Sequence, residues 1–136
     1  MLPELTAGYD YFSFGIRGFG LKRVAFHYST KSDLAEAPDQ IKLSMGGALR
    51  TAQQGGKADD SSPMRGELRD VMEISDEDDS GTYRTMYTVA IGDTVHVLDF
   101  FKKKATSGIS TPKVDLDRIL RRLKKVREEH ANEPKR

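Results

Sequence analysis

From Thr82 to Lys104 the pattern of apolar and polar positions, TYRTMYTVAIGDTVHVLDFFKKK, reads as two strands joined by a tight turn and ending in three lysines. β-Branched and aromatic side chains fill most of these positions, and such residues suit a pleated, half-buried surface. Gly92-Asp93 divides the stretch, and a two-residue type II′ turn needs a positive φ at its first central position, which glycine supplies. The predicted hairpin sets Ile91 opposite Thr94, Val89 opposite His96, Tyr87 opposite Leu98 and Thr85 opposite Phe100, with that face in the core. Arg84, Met86, Thr88, Ala90, Val95, Val97, Asp99 and Phe101 fall on the other face, where Arg84 and Asp99 become diagonal neighbours.

Elsewhere the pattern changes period. Lys22 to Tyr28 reads as a short strand, and Ser29 to Ala37 as a first helical turn or two. Pro38 breaks that piece and suits the first position of a second helix, running to about Gln54. Ile41, Met45, Ala48, Leu49 and Ala52 recur at helical spacing and define its buried stripe. Gly46 and Gly47 interrupt it, each costing about 1 kcal/mol against alanine, so close packing on another element is expected there. Lys57 to Gly66 reads as a polar loop and Leu68 to Ser75 as a strand. Asp76, Asp78, Ser80 and Gly81 imitate the opening of a calcium loop, but its twelfth position is Tyr87 and strands flank it, so a solvated turn is expected. After a Gly/Ser turn, Thr111-Pro112 supplies a capping hydroxyl and a first-position proline for a last helix. Leu116, Ile119, Leu120, Leu123 and Val126 form its apolar stripe. The order is strand, two helices, three antiparallel strands, helix: an α+β fold with a small, mostly antiparallel sheet, an N-terminal helical hairpin and a C-terminal helix, the helices grouped on one side.

Composition narrows the possibilities. A chain of 136 residues makes one domain the expectation, taken as 22–130. Residues 1–21, rich in glycine and aromatics, read as an extension, disordered or docking as a strand from Tyr11 to Ile16, and 131–136 as a frayed tail. The absence of cysteine excludes disulfides, thiol catalysis and cysteine-zinc sites and fits a cytoplasmic protein. No apolar run is long enough to span a membrane. Net charge is +1, but residues 102–136 carry +7 and residues 1–101 carry −6. A basic C-terminal quarter suits an anionic partner, although a solvated basic helix has the same composition.

Candidate chemistry is sparse. His27, His96 and His130 lack ligand spacing, and no nucleotide fingerprint is present. What remains is a set of cations near one sheet: Arg84 in mid-strand, Lys102, Lys103 and Lys104 leaving the next strand, and Lys113 opening the last helix. Guanidinium and ammonium groups suit phosphate. The plain alternative is that Arg84 pairs with Asp99 or Glu73.

TYRTMYTV, VHVLDFFKKK and STPKVDLDRILRRL, in this order, carry a resemblance. Asp33-Leu34 before Pro38, Ala48-Leu49 and Ala52-Gln53 agree with it. So do Pro63-Met64-Arg65-Gly66, similar to a Pro-Leu-Lys-Gly element, and Met72-Glu73-Ile74, similar to a Leu-Glu-Ile strand. From Lys22 to Glu129 the chain resembles the phage-derived, HigB-like branch of the RelE superfamily of toxins from bacterial toxin–antitoxin modules. The resemblance implies a compact sheet with a helical hairpin and a basic cleft that cuts messenger RNA at the ribosome without metal or cofactor. It also implies a cognate helix-turn-helix antitoxin. Arg84 matches the arginine of a Tyr-Arg-x-x-Tyr motif that contacts the scissile phosphate, and the Lys102 to Lys104 cluster, with Lys102 and Lys103 as the catalytic candidates, sits where relatives place a second cation. Glu73 is the base that can be placed beside Arg84. Lys104, Lys113, Arg118, Arg121 and Arg122 are the implied RNA-binding cations. The chain departs from ribosome-dependent members in having Glu73 and Ser75 where they have lysines, and in lacking their C-terminal tyrosine or histidine. Two rival functions share the expected fold: a protein that blocks a host target such as DNA gyrase, and a phage-derived interaction module without activity.

Overall fold

The computed structural model describes residues 21–103 and 111–133, together with the backbone of residues 9–12. Its elements are β1 (Tyr9–Phe12), β2 (Arg23–His27), α1 (Thr30–Ala35), α2 (Asp39–Gln53), β3 (Ser61–Pro63), β4 (Val71–Asp78), β5 (Gly81–Thr88), β6 (Thr94–Lys102) and α3 (Lys113–Ala131). The strands form one sheet in the order β1-β2-β6-β5-β4-β3. Within it β2 and β6 run parallel and the other pairs are antiparallel. The fold is α+β, as the pattern predicts. Among the described residues no helix is long and apolar enough to cross a membrane.

The helices do not share one side. Ile41, Met45, Ala48, Leu49 and Ala52 of α2 pack with Val24, Phe26, Ile74, Tyr83, Tyr87, Val95, Val97 and Phe100 on one face of the sheet. Ile119, Leu123 and Val126 of α3 pack with Leu68, Val71, Met86, Ile91 and Leu98 on the other. Both faces of β5 and β6 are therefore covered, which is why those strands carry apolar residues at successive positions. Leu120 of α3, expected in the core, is only partly buried.

The hairpin differs from the predicted register. Thr85 does face Phe100, but Met86 faces Asp99 and Tyr87 faces Val97, so Leu98 is an extra residue in a β-bulge. The bulge turns both Leu98 and Asp99 toward α3. β5 stops at Thr88, whose hydroxyl donates to Asp70 O at 2.7 Å and accepts from Ala90 N at 3.1 Å. The connection is therefore Val89 to Asp93 rather than two residues, and Val89, expected in the core, is exposed. Gly92 does take a positive φ, of 62°, within it.

Smaller departures have local causes. The polar segment after α2 contributes the edge strand β3, where Pro63 is tolerated because an edge leaves one ladder unformed. Pro38 and Pro112 stand just before α2 and α3 rather than at their first positions. A side chain added at Gly46 or Gly47 would meet nothing within 4 Å, so no close packing explains these glycines. Of the docking strand read from Tyr11 to Ile16, Tyr11 and Phe12 lie in β1, beside β2, and the rest is outside the described residues. The Gly/Ser turn at 105–110 is outside them too.

Candidate functional site

Arg84 occupies the middle of β5 on the face that meets α3. Sequence reasoning places it toward the surface, but it is only 7% exposed. Its Nη1 lies 2.8 Å from Oε2 of Glu73 on β4 and donates to Thr111 Oγ1 at 2.6 Å. Glu73 faces Met86, so it is the diagonal neighbour of Arg84 on that face. The Arg84–Glu73 contact has the distance of an ion pair without the alignment of a hydrogen bond, and Glu73 Oε2 is buried with no hydrogen-bond partner among the described residues. A buried carboxylate oxygen in that state calls for a reason. Thr111, read from sequence as a helix cap, makes no capping hydrogen bond; its hydroxyl serves the guanidinium instead.

Asp99 does not pair with Arg84. It is 5% exposed and accepts from Arg118 Nε at 2.8 Å, from Arg122 Nη1 at 3.1 Å and from the Phe100 amide at 3.0 Å. Arg122 Nη1 also donates to Leu98 O at 2.8 Å, and Arg118 Nη2 reaches Asp115 Oδ1 at 2.7 Å. Burial works against the charge on Arg118, but its hydrogen bonds to Asp99 and Asp115 outweigh this and raise its pKa above the ordinary value. These two arginines thus fasten α3 to the bulge. Charge-assisted bonds of this kind are about twice as strong as neutral ones.

The remaining cations are dispersed. Lys102 faces away from Arg84: its Nζ stands 5.9 Å from the Tyr83 ring centroid, on the face that carries α2. Lys103 follows β6 and is partly exposed, its amide donating to Thr82 O at 2.7 Å. Lys104 lies outside the described residues. Lys113 is exposed and pairs with Asp117 at 3.0 Å. Arg121 is exposed and lines a cavity of about 540 Å³ with Tyr28, Arg122, Lys124, Lys125 and Glu128. The structure therefore brings together Glu73, Arg84 and Thr111 in one cluster and Arg121 and Arg122 in another. Tyr28, Lys124 and Lys125 were not singled out from sequence. An aromatic residue closing a strand just before helix-capping serines was the one available signal.

Beneath Tyr28 lies a buried polar pair. His27 Nε2 and His96 Nδ1 are 2.9 Å apart, and His96 Nε2 is 3.2 Å from Ile91 O. A carbonyl oxygen only accepts, so His96 carries its proton on Nε2, and His27 Nε2–H must donate to His96 Nδ1. Burial, then the neighbouring His96 and Arg122, pushes the His27 pKa down to about 3. Burial, partly offset by the bond to Ile91 O, pushes that of His96 down to about 4. Both rings are neutral near pH 7. Among the described residues no three His, Cys, Asp or Glu side chains gather as metal ligands.

Two comparisons bear on this arrangement. No curated protein matches the sequence. The family model described as "Phage derived protein Gp49-like (DUF891)" matches residues 32–124, which takes in most of α1, all of α2, both halves of the Glu73–Arg84 pair, Thr111 and most of α3. The match covers more than half of the chain, and the protein belongs to the phage-derived Gp49-like family, a family associated with RelE-like toxins of toxin–antitoxin modules.

Proposed function

We propose that this protein is the toxin of a type II toxin–antitoxin module and acts as an endoribonuclease on messenger RNA engaged by the ribosome. The observation that carries the reading is the Glu73–Arg84 pair: a buried carboxylate oxygen without a hydrogen bond, 2.8 Å from a guanidinium. RNA cleavage by the neighbouring 2′-OH needs these two functions and no metal. Glu73 takes the 2′ proton as the oxygen attacks phosphorus, Arg84 stabilises the charge that grows on the phosphoryl oxygens, and the 5′-oxygen leaves, taking a proton from water. DNA lacks the attacking hydroxyl and is not cut. Thr111 holds the guanidinium from the α3 side, so its position is fixed before substrate arrives. Lys103, Lys113 and Arg121 offer exposed or partly exposed charge for flanking phosphates, and the ribosome supplies the orientation of the strand. The cognate helix-turn-helix antitoxin neutralises the toxin by covering this basic side with an acidic segment.

The test is cleavage of a defined message with and without ribosomes. Glu73→Gln keeps the shape of the pair and should abolish cleavage in a protein that still melts cooperatively. Full cleavage by that variant removes Glu73 as the base. The low exposure of Arg84 favours a second reading, in which the pair is structural and the protein acts by binding a host target such as DNA gyrase. Inhibition of supercoiling, with no cleavage in either RNA assay, decides for that reading.

A further inference from the structure

The basic cavity beside Tyr28 has a construction that the Glu73–Arg84 chemistry does not use. Tyr28 follows β2 with φ of 59°, a left-handed conformation that side chains other than glycine, asparagine and aspartate adopt only at a cost. Tyr28 is nonetheless left 48% exposed. About half of the residue stays in water, so burial alone does not account for the strain. One side of the ring is covered by Arg122, whose Cζ is 4.4 Å from the centroid. That guanidinium is itself fixed through Nη1, which donates to Leu98 O and Asp99, and its Nε and Nη2 donate to no other described residue. Arg121, Lys124 and Lys125 surround the same cavity, against the single carboxylate of Glu128. An aromatic ring, a preset guanidinium and three exposed cations around about 540 Å³ form a nucleotide-sized space with a stacking surface and phosphate donors.

We infer that the cavity between Tyr28 and α3 binds one nucleotide of single-stranded RNA, its base stacked on Tyr28 and its phosphate held by Arg121, Lys124 and Lys125. The inference rests on the reading of the protein as acting on RNA and extends it. The site is separate from the Glu73–Arg84 pair. Thr111, which holds Arg84, precedes α3, whereas Arg122 lies about ten residues further on, roughly 15 Å along the helix axis at ~1.5 Å per residue. It therefore takes a nucleotide flanking the one that is cut, and it binds by stacking and charge, which tolerate any base.

The experiment is fluorescence anisotropy of the full chain with a labelled single-stranded RNA ten nucleotides long, 2′-O-methylated so that it cannot be cleaved. A polyglutamate peptide of the same length is the second probe. Tyr28→Gly should weaken RNA binding by about ten- to a hundredfold, the range expected for loss of one stacked base, without lowering Tm. Lys124→Gln with Lys125→Gln should flatten the dependence of log Kd on log salt by up to about 0.7, the value for one phosphate no longer neutralised. RNA affinity that ignores both changes overturns the inference. So does polyglutamate binding as tightly as RNA and sensitive to the lysines alone, which marks the face as a site for an acidic protein. A protein that binds the oligonucleotide through Tyr28 but cleaves no message leaves this site standing and ends the nuclease reading. One that cleaves while its affinity ignores Tyr28 does the reverse.

Discussion

Mild acid should destabilise this protein well before its carboxylates protonate. The perturbation is a change from pH 7.5 to pH 5.0, and its targets are His27 and His96, 2% and 7% exposed. Their folded pKa values, about 3 and about 4, lie below the ordinary value of 6.5. Below pH 6.5 the unfolded chain therefore takes up protons that the folded chain refuses, and stability falls as pH falls until the folded pKa values are reached. At pH 5.0 each ring is roughly 1.5 units below its unfolded value, which at about 1.4 kcal/mol per unit costs on the order of 2 kcal/mol. The pair together loses about 4 kcal/mol, a large part of the roughly 5–15 kcal/mol that a domain possesses. Arg122 adds to the resistance of His27, and His130 to that of His96. Urea unfolding followed by circular dichroism at several pH values reads the effect as a falling midpoint at constant slope. His27→Gln with His96→Gln, which keeps polar groups in place, should flatten the profile. Midpoints that coincide at pH 5.0 and 7.5, or an unchanged profile in the double variant, would refute both the neutral pair and the tautomers assigned to it.

Other expectations follow from burial. Arg84→Ala leaves the carboxylate of Glu73, 18% exposed, without its counter-charge and should cost about 3–5 kcal/mol in urea unfolding, so activity must be compared per folded molecule. Replacing both residues by apolar ones of similar size should recover most of that loss. Gly46→Ala and Gly47→Ala, on the exposed face of α2 with open space at each Cβ, should each raise stability by about 0.5–1 kcal/mol, read as a higher Tm. Leu123→Ala, at a fully buried position, should cost about 2–5 kcal/mol, and Leu120→Ala clearly less; equal losses would contradict the packing of α3.

The helical stripes were legible because their periodicity is local and one-sided: the five positions assigned to the α2 stripe are all buried, while Leu43, which lies off it, is exposed. The strands were legible as strands but not as faces. With α2 on one side and α3 on the other, period two no longer separates core from solvent between Tyr83 and Phe101. The bulge at Leu98 has no local signature either. It exists because Asp99 is drawn to Arg118 and Arg122, residues on an element that the hairpin's own sequence does not specify. The same long-range pairing removes Asp99 as a partner for Arg84 and leaves Glu73 in that place. Tyr28 was hard to single out for a related reason: beyond its place at the end of a strand, a backbone angle and a neighbour on α3 distinguish it, and neither is written around it in the chain.

The parallel pairing of β2 with β6 has a consequence for synthesis. β6 is flanked by the first strand of the 22–130 region and by β5, so its two neighbours differ greatly in sequence distance. When β2 leaves the ribosome, its partner has not been made. Elongation at about 5–20 residues per second separates His27 from Thr94 by roughly 3–13 s. During that time the nascent chain can form α1, α2 and the β4–β5 hairpin, but β2 has no parallel partner and the sheet cannot close. The anchor at Asp99 waits longer still, for Arg118 and Arg122. The sheet is therefore completed only when the C-terminal part has been made, and a translation product truncated before Thr111 would carry Arg84 without the hydroxyl that positions it.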